Sequence, residues 1–285
     1  MNWVHIGMGN IGKGLVVPRL IDQSCIDLKV MDRNLTKGSF VFSTESGGVN
    51  KIYTVEVIDF DELSRYESVI VSTSVIVANV GSLLDKIQRL NIKNLHYVPF
   101  ENSDEAVKIA RKKGLRVFKS VVDKIVFEGN FNYVKAESFS NLKIDAKIRE
   151  LVDLDGDLIS ENIELDHKLK FFLVNGIHAA IAYVSSANAM IKIGEYFDNP
   201  LFIDEIRESY LRFSVANIGI DQLTAEEYIE TSITRFRHSG VDSIARIGRN
   251  PQLKLQRGER LEPVFEYGSK KLVDVIHAGA KLLSS

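Results

Sequence analysis

The feature that most constrains this chain stands at its beginning. Trp3-Val4-His5-Ile6 is a short apolar run, and Gly7-Met8-Gly9-Asn10-Ile11-Gly12 follows it directly. The glycines fit G-x-G-x-x-G, and Ile11 to Leu20 carries a helical pattern. Strand, glycine turn and helix in that order suit a dinucleotide. Gly7 allows the tight turn, Gly9 lets the backbone approach a pyrophosphate, and Gly12 lets helix and strand pack closely. Asn10 and Ile11 complete the turn, where N–H groups at the helix start face the phosphates. Asp32 ends the next strand, about 20 residues further on. A carboxylate there can accept from both ribose hydroxyls and repels a 2′-phosphate, which favours NAD over NADP. Arg33 pulls the other way, because an adjacent guanidinium can hold a 2′-phosphate. The plain alternative is a glycine turn in another doubly wound fold, with Asp32 a solvated strand end.

The first half alternates strands and helices. Strand patterns cover Ile26 to Met31, Ile52 to Val57, Ser68 to Ser72 and Asn94 to Val98, the last stopped by Pro99. Helical patterns cover Val80 to Leu90 and Ser103 to Lys113. Strands separated by helices imply a parallel sheet. Tyr133 to Phe139 suggests one more strand, and Lys143 to Leu158 is a polar stretch. From Ile163 onward the pattern is almost wholly helical, through Leu169 to Ile193, Ile203 to Ile218 and Ala225 to Phe236. The expected fold is α/β: a Rossmann-type parallel-sheet domain over residues 1–160, then an all-helical substrate and catalytic domain over residues 161–285. A length of 285 residues accommodates two domains.

Composition removes several classes of function. The 36 basic and 38 acidic residues nearly cancel, so nothing marks the chain as a nucleic-acid or membrane-surface coat. Cys25 is the single cysteine, which excludes an intramolecular disulfide and a cysteine-based metal site. The N-terminus lacks a basic segment followed by an apolar one, so no signal peptide is expected and the cytoplasm is the expected location. Phe171 to Val184 is the most apolar segment, too short to span a bilayer, which needs about 20 residues.

Two groups of residues carry possible chemistry. In Lys170-Phe171-Phe172-Leu173-Val174-Asn175-Gly176-Ile177-His178, three polar side chains interrupt an apolar helix. At about 100° per residue Asn175 and His178 share a face, and Lys170 lies within about 140° of Asn175. Lys170 is a candidate base for the hydroxyl proton of an alcohol losing hydride, given a pKa lowered by burial and by a nicotinamide cation. Asn175, and Asn102 after the strand end Val98-Pro99-Phe100-Glu101, could hold the developing alkoxide. No metal site is expected, since Glu101, His96 and His178 lack ligand spacing. The second group is Arg246, Arg249 and Lys254, with Arg235, Arg237, Arg257 and Arg260 around them. It could bind an anionic substrate, most simply a phosphate, or it could be a solvated surface. The hydroxyls of Ser72-Thr73-Ser74, at a strand end, could reach the cofactor, Ser74 first among them, or cap the helix after it.

Together these residues resemble the polyol-specific long-chain dehydrogenases, in particular the bacterial mannitol-1-phosphate 5-dehydrogenases. His5-Ile6-Gly7-Met8-Gly9-Asn10-Ile11-Gly12-Lys13-Gly14 is similar to their H-F-G-A-G-N-I-G-R-G. Val98 to Asn102, and Val122-Asp123-Lys124-Ile125-Val126, look like their strand-end E-N segment and their V-D-R-I-V. Lys170, Asn175 and His178 match K-x4-N-x2-H, and Ala245 to Leu255 resembles R-V-G-R-D-P-x-x-K-L. The resemblance implies a metal-independent, NAD-dependent enzyme, mostly monomeric, with its site in a cleft between two domains. It implies Lys170 as acid/base, Asn102 and Asn175 polarising the substrate oxygen, His178 touching substrate, and Arg246 and Lys254 binding it. The substrate implied is a sugar alcohol phosphate and its ketose phosphate, mannitol 1-phosphate and fructose 6-phosphate. Met8 and Asn250 depart from the pattern, where alanine and aspartate are usual. The C-terminal part looks short, which implies a more open cleft or one closed by a partner subunit. Alternatives are an unphosphorylated polyol or hexuronate substrate, or a dinucleotide-binding homologue without catalysis.

Overall fold

The computed structural model describes residues 1–101, 104–238 and 242–284. The chain divides into two compact units, Met1–Ile163 and Glu164–Ser285. Among the described residues the first unit holds twelve strands: β1 (Asn2–Ile6), β2 (Asp27–Met31), β3 (Gly38–Ser46), β4 (Val49–Val57), β5 (Ser68–Thr73), β6 (Asn94–Pro99), β7 (Arg116–Val117), β8 (Ser120–Asp123), β9 (Val126–Gly129), β10 (Tyr133–Ala136), β11 (Asn141–Asp145) and β12 (Ile159–Ser160). The large sheet has the order β7-β6-β5-β1-β2-β4-β3-β10-β9, and the small one β12-β11-β8.

The strands from β7 to β4 in that order all pair in parallel. The chain runs outward from β1 through β2 to β4, then returns to β5 on the other side of β1. The crevice beyond the carboxyl ends of strands at such a reversal is where open α/β sheets bind ligands. Period-two alternation explains the central strands. Val4, Ile6, Val69 and Val71 enter one apolar cluster with Val80, Leu84 and Ile87 of the helix Val77–Gln88. Trp3 and Ile70 enter another with Leu15, Val16 and Val98. A strand buried on both faces belongs inside a covered parallel sheet.

The sheet is mixed rather than wholly parallel. β3, over which the sequence reading has no strand, runs antiparallel to β4. Gly47 and Gly48 join them at φ +58° and +79°, and both central residues of a two-residue hairpin turn of this kind need positive φ. β3 buries Phe40, Phe42 and Thr44 on one face and exposes Val41 on the other. One face is wet, and the exposed Val41 on it blurs the apolar–polar alternation along the sequence. β10 extends the sheet in parallel with β3, and β9 returns antiparallel to β10.

The second unit is helical among its described residues. Its central element spans Ile163–Ala187, 25 residues, longer than the short apolar segment read from the sequence. By length and composition alone this helix could cross a membrane, but 72% of its most apolar window is buried inside the protein, as in a core helix. Gly176, Ile177 and Ala179 through Ser186 are buried, so its second half is covered all round. The helix is not uniform: Ile163–Leu169 and Asn175–Ala187 are α-helical, while Lys170–Val174 forms a π turn. Ile203–Phe213, Gln222–His238, Glu262–Tyr267 and Lys270–Leu282 are further helices of this unit, with Ile244–Gly248 and Pro251–Lys254 as short turns of helix.

Candidate functional site

The glycine turn leaves β1 at Gly7, whose φ is +110°. A Cβ on Gly7 would stand 2.7 Å from the Ser74 carbonyl oxygen, and one on Gly12 would stand 2.1 Å from the Gly7 oxygen. Both positions therefore exclude a side chain. Gly9 is different: a Cβ there would meet nothing within 4 Å. Its bare backbone faces open space, the condition for a close approach by a pyrophosphate. Asp32 is tied to the same turn. Its Oδ2 accepts from the Met8 N–H at 2.8 Å and its Oδ1 from the Asn34 N–H at 2.9 Å.

Gly7, Gly9, Asp32, Arg33 and Ser74 share the wall of a cleft of about 670 Å³ at the carboxyl ends of β1, β2 and β5, within the size range of cofactor sites. Arg33 is exposed there. Leu35, Phe60, Val75, Ile76 and Leu83 supply apolar lining. Asn10, Ile11 and Gly12 do not line it. The Asn10 side chain instead lies against Gly129 at the end of β9. Ser72 and Thr73 correct the sequence reading twice over. Both are wholly buried, Ser72 bonded to Trp3 and His5, Thr73 to Tyr97 and Glu101. They face the interior rather than a cofactor. The N-cap of the helix Val77–Gln88 is Ile76 and no side chain caps it, so capping is not their role either.

Three polar residues of this unit matter that sequence reasoning left in the background. Lys13 is 4% exposed and donates to Phe131 O at 3.0 Å and to Asn130 O, which ties the turn helix to the β9–β10 hairpin. Burial pushes its pKa down. Glu101 is 8% exposed; its Oε1 accepts from Thr73 Oγ1 at 2.6 Å and from the Val75 N–H at 3.2 Å, and Oε2 is buried without a partner. Burial raises this carboxyl to about 7. His5 is fully buried and held neutral, with its pKa lowered by burial to about 4. For His5, a polar residue inside an apolar strand was the available signal. Asn102, next to Glu101, lies outside the described residues.

In the second unit the π turn corrects the helical wheel. The Asn175 N–H donates to the Lys170 carbonyl, five residues back. One wide turn therefore brings Asn175 round above Lys170, where regular α geometry would leave a gap of about 140°. Lys170 and Asn175 are both half-buried. One α turn later His178 stacks face to face on Phe236, with ring centroids 4.1 Å apart and planes at 5°. Its Nε2 is buried without a hydrogen bond, 4.0 Å from Asp242 Oδ2. Burial, together with Arg246, Arg235 and Lys254, pushes its pKa down to about 3.

Asp242 is the residue here that no motif singled out. It is 7% exposed and grips Arg246 with both oxygens, Nε to Oδ1 at 2.7 Å and a terminal nitrogen to Oδ2. A buried carboxylate held this way fixes the guanidinium plane. Lys254 donates to the Ile247 carbonyl, and its pKa is lowered to about 8 by burial and by Arg260, Arg249 and Arg246. The predicted cationic block is thus a real cluster. Arg249 is exposed, and Asn250 sits at φ +56°, a left-handed conformation asparagine tolerates. Arg260 lies over the Phe171 ring at 5.1 Å, whereas Arg237 packs over Phe197. Among the described residues no group of three or more His, Cys, Asp or Glu could hold a metal ion.

A Rossmann-type sheet unit followed by a helical unit defines the class of fold. No protein-family model matches the chain. The sequence is similar to the mannitol-1-phosphate 5-dehydrogenase of Thermoanaerobacter pseudethanolicus, 28% identical over 313 residues, covering 90% of this chain and 78% of that protein. It is also similar to the enzyme of the same name from Mycoplasmopsis pulmonis, 24% identical, covering 95% of this chain and 82% of that one. In fold it is similar to Pseudomonas fluorescens mannitol 2-dehydrogenase in its complex with NAD and D-mannitol, with TM-score 0.65, 13% identity, and 100% of this chain and 79% of that chain covered. A D-mandelate dehydrogenase complex with NADH has TM-score 0.61 at 13% identity, with both chains covered completely. The likeness to polyol-specific dehydrogenases carried by the motifs thus extends over nine-tenths of the chain.

Proposed function

We propose that this chain is an NAD(H)-dependent polyol dehydrogenase that interconverts mannitol 1-phosphate and fructose 6-phosphate by hydride transfer. One observation carries the reading. The helix that bears Lys170, Asn175 and His178 meets the cationic block, because His178 stands 4.0 Å from Asp242 and Asp242 grips Arg246. Alcohol chemistry and anion recognition thereby share one place in the second unit. The names of the sequence relatives support the same substrate.

The cleft of the first unit fits NAD. Gly9 leaves room for a pyrophosphate, and Asp32 offers a carboxylate to a ribose at a fixed place beside the turn. NAD supplies the hydride acceptor when bound. Lys170 takes the hydroxyl proton as the carbon–hydrogen bond breaks, and returns it in the reverse direction. Asn175 and Asn102 donate to the developing alkoxide. His178, neutral, offers a ring nitrogen to a substrate hydroxyl. Arg246 has donors left beyond the two that Asp242 holds, and with Arg249 and Lys254 it binds the phosphate.

The test is NADH oxidation with fructose 6-phosphate and with free fructose. Turnover of the phosphate is expected, with Lys170→Ala losing about 10²-fold or more in kcat and keeping its NADH affinity. Turnover of free fructose alone removes the phosphate from the reading. Wild type and variant equally inactive across a panel of ketoses favour a dinucleotide-binding protein without catalysis.

A further inference from the structure

Beneath the glycine turn lies a row of buried polar groups that the proposed chemistry does not use. Trp3 Nε1 stands 2.8 Å from Ser72 Oγ, and His5 Nδ1 stands 2.9 Å from the same oxygen. His5 Nε2 is 3.0 Å from Ser74 Oγ, which is 2.7 Å from the Gly7 carbonyl oxygen. One placement of protons satisfies all four contacts. The Gly7 carbonyl only accepts, so the Ser74 hydroxyl points at it. Ser74 Oγ then accepts from His5, which puts the ring proton on Nε2. Nδ1 becomes an acceptor and takes the Ser72 hydroxyl. Ser72 Oγ accepts from the indole, which only donates. The row is directed from Trp3 through Ser72, His5 and Ser74 to Gly7, and no donor is left over. A doubly protonated ring would turn Nδ1 into a donor and strand the Ser72 hydroxyl.

The oxygen at the end of this row is the pivot of the turn. It belongs to the residue at φ +110° and lies against Gly12 in the first turn of the following helix, where no Cβ fits. Its position decides how the chain enters that helix, and so where the N–H groups beyond Gly9 point. We propose that His5, acting through Ser74, is a positioning residue for the cofactor: its Nε2–H tautomer locks the Gly7 carbonyl and preorganises the pyrophosphate-binding turn. This rests on the reading of the cleft as a dinucleotide site.

His5→Gln and His5→Asn separate the two ring nitrogens. Glutamine can return a donor near Nε2, toward Ser74. Asparagine reproduces the Nδ1 side only, toward Ser72. NADH binding is measured by calorimetry for both and for Trp3→Phe, which removes only the first donor of the row, with melting temperatures recorded beside them. The asparagine variant should bind NADH about tenfold more weakly, and the glutamine variant should stay within about threefold of wild type. Trp3→Phe should lower the melting temperature and leave the dissociation constant near that of wild type. An asparagine variant that binds like wild type, or a glutamine variant as weak as asparagine, overturns the proposal. A wild-type chain that does not bind NADH overturns the dinucleotide reading itself.

Discussion

Lys254 carries a proton that its surroundings make easy to lose. Burial and the neighbouring Arg260, Arg249 and Arg246 bring its pKa to about 8. It is therefore charged below that value and neutral above it. If it binds the substrate phosphate, kcat/KM for fructose 6-phosphate should fall as the pH rises through about 8, because this ratio follows the free protein. Lys170 could produce a limb of the same sign, so Lys254→Arg decides between them. An arginine stays charged throughout, and the limb should move to higher pH in that variant. A limb unchanged by the substitution would assign it to another group. Asp242 belongs to the same scale, since its buried carboxylate sets the direction of Arg246.

The element that matters most is the π turn Lys170–Val174. Such a turn amounts to one residue inserted in an α-helix, and it is costly enough to be kept mainly where a site needs it. Deleting Phe171 should let the helix close into regular α geometry. Lys170 then stands four residues from Asn175, about 40° round a regular helix, so the pair keeps its face, but the wide turn that seats the Phe171 ring under Arg260 is gone. The expected variant is folded and helical by circular dichroism, binds NADH through the other unit, and has lost most of its turnover. Retained turnover would show that the extra residue does not serve the site. The hairpin β3–β4 makes a similar point for the sheet. Gly47-Gly48 signals a two-residue turn, but the strand before it shows only a one-sided apolar pattern.

At the scale of the whole molecule, three buried titratable groups set an opposed pH dependence. His5 and His178 are held neutral, at about 4 and about 3 against an ordinary 6.5. The unfolded chain accepts protons there that the native state refuses, so their contribution is complete above about 6.5 and is lost as the pH falls. Glu101 acts in the other sense, raised to about 7 from an ordinary 4.5. Its contribution is present below 4.5 and is lost as the pH rises through 7. Between pH 4.5 and 6.5 the unfolded chain thus binds one net proton more, worth about 1.4 kcal/mol per pH unit for global unfolding. Denaturant unfolding across this range should give that slope. His5→Gln should flatten it, and Glu101→Gln should about double it. A slope that neither substitution changes would mean these groups are not buried as described.

Whatever depends on spacing along the chain is legible from the residues alone. The glycine turn, Asp32 at the end of β2, the parallel strands β1, β5 and β6, the helical second half and the Lys170, Asn175, His178 series are all local patterns, written in periods of 2 and about 3.6 residues. Desolvation and contacts between distant segments come from the folded chain. Ser72 and Thr73 turn inward because β5 is covered on both sides. His5 meets Ser74 because β1 and β5 pair in one register. Asp242 stands 4.0 Å from His178 although 64 residues separate them along the chain. The π turn needs one backbone bond of different reach, which no period announces. Charge, tautomer and proton affinity follow from who lies against whom, and the spacing of residues along a strand or helix does not contain that.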